Sequence, residues 1–97
     1  MHVISVKILR QYWVQHADAE EALKNWYHFV NKASWTDPAS LKRDFPSASI
    51  LPDNRIVFNI KGNQYRLVVR INYAVQVVYI RFVGTHAEYN RINATQI

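Results

Sequence analysis

Residues 55–83 alternate apolar and polar side chains in a pattern that tolerates only one sheet register. The run divides into stretches at about 55–60, 65–72 and 77–83. Lys61-Gly62-Asn63-Gln64 separates the first two, and a turn centred on Ala74-Val75 separates the next two. Gly62-Asn63 supplies tolerance for positive φ, which tight hairpins demand. Antiparallel pairing about these turns sets residue 59 opposite 66 and 57 opposite 68, then 70 opposite 79 and 68 opposite 81. One face then reads Ile56, Phe58, Ile60, Leu67, Val69, Ile71, Val78, Ile80 and Phe82, all apolar. The other reads Arg55, Val57, Asn59, Arg66, Val68, Arg70, Val77, Tyr79, Arg81 and Val83. A slip of one residue in either hairpin would turn arginines into the core, so the pattern fixes the pairing.

The residues before the run have helical spacing. Residues 2–4 form a short apolar strand, at an edge or in the centre. Ser5 is placed to cap a helix over 6–16, with Val6, Leu9 and Trp13 on one face. Asp18 followed by Glu21 resembles a capping box for a second helix ending near Lys32. Its Ala19, Ala22, Leu23, Trp26, Phe29 and Val30 form an apolar stripe. Asp37-Pro38 reads as cap and first residue of a short third helix, which Phe45-Pro46 stops. Leu51-Pro52-Asp53-Asn54 is a turn. The expectation is an α+β fold in one domain, residues 1–97, with N-terminal helices on one face of a twisted antiparallel sheet.

Charge divides the chain as sharply as periodicity does. Residues 1–54 hold six Lys/Arg and six Asp/Glu; residues 55–97 hold six Lys/Arg and one acid, Glu88. The whole excess of +5 therefore lies on the β-rich half. Arginines on an exposed sheet face often serve solubility alone. This face, however, carries four arginines, an aromatic and an amide with no acid, and a one-sided positive field suits a polyanion. Arg55, Arg66, Arg70, Arg81, Asn59, Lys61, Tyr79 and Arg91 are candidate RNA contacts.

There is no cysteine, hence no disulfide and no thiolate metal site, as suits a cytoplasmic protein. The four histidines show no metal-ligand spacing, so no metal or cofactor is expected. Lys7, Arg10 and Gln11 interrupt any secretory apolar stretch. No apolar run approaches the ~20 residues that span a bilayer.

His86 follows the last strand, where Gly84-Thr85 turns the chain off the sheet. A lone histidine is commonly a surface or capping residue. At the rim of a basic face it is also a candidate general acid–base, because imidazole moves protons near neutral pH. Guanidinium groups hold a scissile phosphate and stabilise its added charge. Together these are the parts of a metal-free ribonuclease. Tyr89 points the same way on a helical turn, or anchors the core. Trp13, Trp26 and Trp35 read as core, and His16, His28 and Lys42-Arg43 receive no role.

The segments Phe58-Asn59-Ile60-Lys61-Gly62-Asn63, Tyr65-Arg66-Leu67-Val68-Val69 and Tyr79-Ile80-Arg81-Phe82-Val83-Gly84-Thr85-His86-Ala87-Glu88-Tyr89 resemble the HigB-type toxins of the RelE-like toxin–antitoxin group. Asp44-Phe45-Pro46-Ser47-Ala48 resembles the stretch before their sheet. The resemblance implies a RelE-like fold and an mRNA endoribonuclease acting in the ribosomal A site, arresting translation. It implies a HigA-type helix-turn-helix antitoxin, with operator DNA bound only through that partner, and no membrane. It carries over His86, Arg66, Arg81 and Tyr89 as catalytic, with Lys61 and Arg70 as phosphate contacts. RelE-type sites often lean on Lys and Arg more than on His. The competing reading is a non-catalytic RNA- or protein-binding module using the same face.

Overall fold

The computed structural model describes residues 1–97. Strand β1 (His2–Ile4) leads into helix α1 (Val6–Gln15), a 3₁₀ turn at Ala17–Ala19, α2 (Glu20–Lys32) and α3 (Pro38–Asp44). Then come β2 (Ser49–Leu51), β3 (Arg55–Ile60), β4 (Tyr65–Asn72), β5 (Val77–Thr85) and a one-turn helix α4 (His86–Tyr89). The sheet order is β1-β5-β4-β3-β2. The three strands expected from alternation are present, and every expected inner residue but one is buried beneath the helices.

The sheet differs from the expectation at both edges. It is mixed, because β1 pairs in parallel with β5 and forms an edge. β2 adds a fifth strand by pairing with β3 across the turn at 52–54. Asp53 and Asn54 adopt positive φ there, a conformation that Asn and Asp tolerate better than most residues.

The β3–β4 register is the one alternation dictates, with Asn59 opposite Arg66 and Val57 opposite Val68. The β4–β5 register holds only from the turn to Val69, which faces Ile80. A bulge follows. Val68 faces Phe82 rather than Arg81, and Arg66 faces Gly84 rather than Val83. One extra residue reverses the alternation downstream of it. Phe82, expected in the main core, therefore lies on the outer face, and Val83 packs inward. An apolar residue at 82 and another at 83 fit either face, so the pattern carried no sign of the bulge.

The outer face is also less open than alternation suggests. Val57 and Val68 are buried with Ala94, and Leu51, Phe82, Tyr89, Ile92 and Ile97 pack against them. The segment after β5 therefore folds back over the centre of the arginine face and divides it. Gly84 makes this possible. A Cβ there would stand 2.6 Å from the Phe82 ring and 3.1 Å from the Glu88 Cβ.

Two expected caps are absent. Ser5 sits in the left-handed region at φ 72° and its hydroxyl caps nothing. Asp18 does not cap α2, which begins directly from the 3₁₀ turn; its carboxylate instead bonds Tyr65 and Lys61. Asp37 does cap α3, accepting from the Ser40 amide at 2.8 Å, with Pro38 as first helical residue.

The main core interlocks aromatics from both layers. Phe58 meets Trp26 at 5.4 Å and Phe45 at 4.9 Å between ring centroids. Val69 at its centre has no solvent exposure. Val69→Ala is expected to cost about 1–3 kcal/mol through lost burial and a residual cavity. Urea denaturation measures this, and an unchanged midpoint would place Val69 outside the packed layer.

Candidate functional site

The chain beyond β5 builds the site. Thr85 caps α4 by accepting from the Glu88 amide at 3.1 Å, and Glu88 Oε1 accepts the Thr85 amide at 2.7 Å. This capping box satisfies amides that a one-turn helix leaves free. The Thr85 amide holds the Glu88 carboxyl below the usual carboxylate range against the opposing effect of partial burial, and the Tyr12 hydroxyl, donating to Oε1 at 3.1 Å, adds to it. Burial, then the Glu88 bond, pushes the Tyr12 hydroxyl well above its ordinary value, so it remains a donor. Helix α1 thereby clamps α4. The His86 amide donates to the Gln64 carbonyl at 3.1 Å, which ties α4 to the β3–β4 turn as well.

So held, His86 is exposed, and its Nδ1 lies 3.0 Å from Nη2 of Arg66. Arginine has no acceptor, so in this contact Nδ1 accepts. The same guanidinium donates through Nη1 to the Asn63 carbonyl at 3.2 Å. It also stands over the Tyr89 ring, 6.0 Å from its centroid. Tyr89 packs against the outer cluster and meets Arg66.

The remaining candidates separate into groups. Arg70, Tyr79 and Arg81 line a cleft with Asn54, Ile71 and Asn72. Arg81 is exposed and makes no ion pair within the chain. Arg70 pairs with Asp53 at 3.1 Å. Arg91 is exposed just beyond α4. Asn59 donates to the Ser47 carbonyl at 3.1 Å, and Lys61 reaches Asp18 at 3.2 Å. Arg55 is buried. It donates to Asp53 at 2.8 Å and to the Ile97 carbonyl at 2.9 Å, which holds the C-terminal segment down rather than facing solvent. Arg55, then Arg70, keeps the Asp53 carboxyl below its ordinary range. The arginine face is therefore not free of acid, since Asp53 from the β2–β3 turn leans onto it.

Alternation could not reveal the groups that come from outside the sheet. Tyr12, Glu88 and the carbonyls of Asn63 and Gln64 support the Arg66–His86 pair from two helices and a turn. The Thr85-x-x-Glu88 spacing, a capping-box pattern that the sequence reading passed over, could have shown part of this. Beside the site, Tyr65 donates to Asp18 at 2.6 Å, and that bond pushes its hydroxyl up to about 12. No three His, Asp or Glu side chains converge within ligating reach, and no helix is long and apolar enough to cross a membrane.

A family model for the HigB toxin, a RelE-like toxic component of a toxin–antitoxin system, matches residues 19–92. The chain belongs to the HigB toxin family. It is 36% identical over 99 residues to the mRNA interferase toxin HigB of Escherichia coli, an alignment covering 97% of this chain and 92% of that protein. The mRNA interferase HigB of Shigella flexneri aligns with the same identity and coverage. The mRNA interferase HigB of another Escherichia coli strain is 21% identical over 94 residues, covering 95% of this chain and 91% of the relative. Membership in a toxin–antitoxin family implies an antitoxin partner.

Proposed function

We propose that the chain is a ribosome-dependent, metal-independent mRNA endoribonuclease that arrests translation. The observation that carries this reading is the contact of the Arg66 guanidinium with His86 Nδ1 at 3.0 Å, on the basic half of a chain from the HigB toxin family. At rest, Arg66 occupies the lone pair that a general base needs. An RNA phosphate is a stronger acceptor for the guanidinium fork than an imidazole nitrogen. Phosphate binding draws Arg66 off Nδ1 and frees it. Nδ1 then takes the proton of the ribose 2′-OH, O2′ bonds to phosphorus, and the P–O5′ bond breaks. The 5′-oxygen leaves with the proton the imidazolium returns. Arg66 stabilises the charge added at phosphorus, and Tyr89 backs the guanidinium. The products carry 2′,3′-cyclic phosphate and 5′-hydroxyl ends.

The test is cleavage of a defined mRNA by the purified chain, with and without ribosomes, in buffer and in excess EDTA. Cyclic phosphate ends are expected, with ribosomes required and EDTA without effect. A requirement for magnesium in the chemical step would overturn the mechanism. The antitoxin we expect is of the HigA helix-turn-helix type, using an acidic segment that competes with RNA phosphate and carrying the pair's contact with operator DNA. Co-expression with the neighbouring reading frame, followed by pull-down and growth rescue, tests it.

The two kinds of arginine should behave differently. Arg81→Ala removes an unpaired surface cation and is expected to flatten the salt dependence of RNA binding by about one unit. Arg55→Ala instead leaves the Ile97 carbonyl without its donor and Asp53 with Arg70 alone. It is expected to cost about 1–3 kcal/mol of stability with the salt slope unchanged. A stable Arg55→Ala protein with a flattened slope would return Arg55 to the RNA surface.

A further inference from the structure

A cluster of rings stands behind the Arg66–His86 pair, on the helix-covered side of the sheet. Tyr65 precedes Arg66, Thr85 precedes His86, and Tyr65 and Thr85 are cross-strand partners. Successive strand residues point to opposite faces, so Tyr65 enters the main core while Arg66 faces out. There Tyr65 meets Tyr12 and His16 of the α1 end edge-on, at 5.8 and 6.1 Å between ring centroids. Tyr12 and His16 stack, 4.1 Å apart and 3° from parallel. Asp18 anchors the group by accepting the Tyr65 hydroxyl at 2.6 Å. The Tyr12 ring is therefore fixed in plane and position. Its hydroxyl reaches Glu88 Oε1 at 3.1 Å, the same oxygen that accepts the Thr85 amide. Glu88 and His86 are two residues apart on one helical turn, about 200° around its axis, so they project to opposite sides of α4. Tyr89, three residues from His86, shares its side and meets Arg66. A helix of four residues has too few internal bonds to fix its own roll.

We propose that Tyr12 is a positioning residue for RNA cleavage: by holding Glu88 from α1 it sets the roll of α4, and with it the placement of the His86 imidazole against Arg66. The proposal rests on the ribonuclease reading above and adds a residue that acts through His86 without touching RNA. Tyr65, His16 and Asp18 keep the Tyr12 ring where its hydroxyl can reach. Loss of that hydroxyl leaves the Thr85–Glu88 capping box in place, so α4 persists but is free to turn. Turning moves His86 and Glu88 in opposite senses. Reacting groups must be held within about 0.5 Å of the productive geometry. A misplacement of about 1 Å caused by a remote change costs up to about 10²-fold in rate. Affinity for RNA comes from the arginines of the outer face and does not pass through α1.

The experiment compares the intact chain with Tyr12→Phe, which keeps the stacked rings and removes one hydroxyl. Single-turnover cleavage of a defined mRNA on ribosomes is expected to fall about 10–10²-fold. The RNA dissociation constant and the urea midpoint should stay nearly unchanged. Glu88→Gln retains an acceptor for both donors and should recover most of the rate that Glu88→Ala loses. In a His86→Ala background, Tyr12→Phe should lower the residual rate little further, because its effect runs through the missing imidazole. The ¹⁵N signals of the His86 ring read the placement without cleavage, and Tyr12→Phe should shift them. Wild-type cleavage by Tyr12→Phe would overturn the proposal, as would unshifted ring signals. So would a loss that multiplies undiminished onto His86→Ala, which would place Tyr12 at the RNA itself, or a loss wholly accounted for by weaker RNA binding. If the parent chain cleaves nothing while Tyr12→Phe still shifts the His86 ring, the ribonuclease reading fails and the placement of His86 by Tyr12 stands.

Discussion

His86→Ala should abolish growth arrest in cells and lower mRNA cleavage by about 10²–10⁴-fold, the range general acid–base catalysis contributes. The protein should remain folded and keep most of its RNA affinity. The reason is local. His86 is exposed, and the bonds that hold α4 run through the Thr85 and Glu88 side chains and main chain, not through the imidazole. Its own amide, which donates to Gln64, survives the substitution. A non-catalytic binding module would show no cleavage in the parent and no change in arrest. Single-turnover cleavage with measured RNA binding separates the two. Wild-type rates in His86→Gln would make His86 a positioning residue and move the base to Lys61, Tyr79 or Tyr89.

Most of the fold was legible because one face of the β3–β4–β5 sheet had to be apolar. That demand fixed the β3–β4 register and the inner residues from Ile56 to Ile80. It failed where demand was weak. At 81–83, Arg-Phe-Val can continue the alternation or skip a residue, since Phe82 finds a core on either side of the sheet. The outer cluster was hidden for the same reason. Residues 92–97 hold only two large apolar side chains, Ile92 and Ile97, too few to announce burial, yet with Ala94 they cover Val57 and Val68. Asp18 failed as a cap because an aspartate before a helix has other partners available, and Ser5 because its backbone sits in the left-handed region, where its hydroxyl caps nothing. Asp18 found Tyr65 and Lys61 across the fold, contacts separated by more than 40 residues that no local pattern encodes. The candidate site was legible in part. A basic face and a histidine after it are composition and order. The pairing of Arg66 with His86 depends on the bulge, which sets Gly84 rather than Val83 opposite Arg66, and on the Tyr12–Glu88 clamp that alternation cannot see.

Arg66→Ala should lower cleavage by about 10²–10³-fold, the usual loss when a positioned donor to a developing oxyanion is removed. Arg66→Lys should recover only a small part of that. A guanidinium reaches His86 Nδ1 and the Asn63 carbonyl through two nitrogens of one planar fork. An ammonium is a compact point charge and cannot hold that geometry while presenting a second donor to phosphate. Charge alone is therefore insufficient, and the lysine variant should bind RNA well but cleave it poorly. The pair should also act as a unit. If Arg66 both masks the His86 lone pair at rest and releases it on binding phosphate, losing either member removes the shared step. The double variant Arg66→Ala/His86→Ala should then fall little below the worse single one, as groups acting together do. Losses that multiplied cleanly would mean the two side chains work independently, and that the 3.0 Å contact plays no part in the reaction. The cycle needs only four proteins and one rate each. A separate unfolding midpoint checks folding: Arg66 is half-buried, and its loss should leave that midpoint nearly unchanged if its role is chemical.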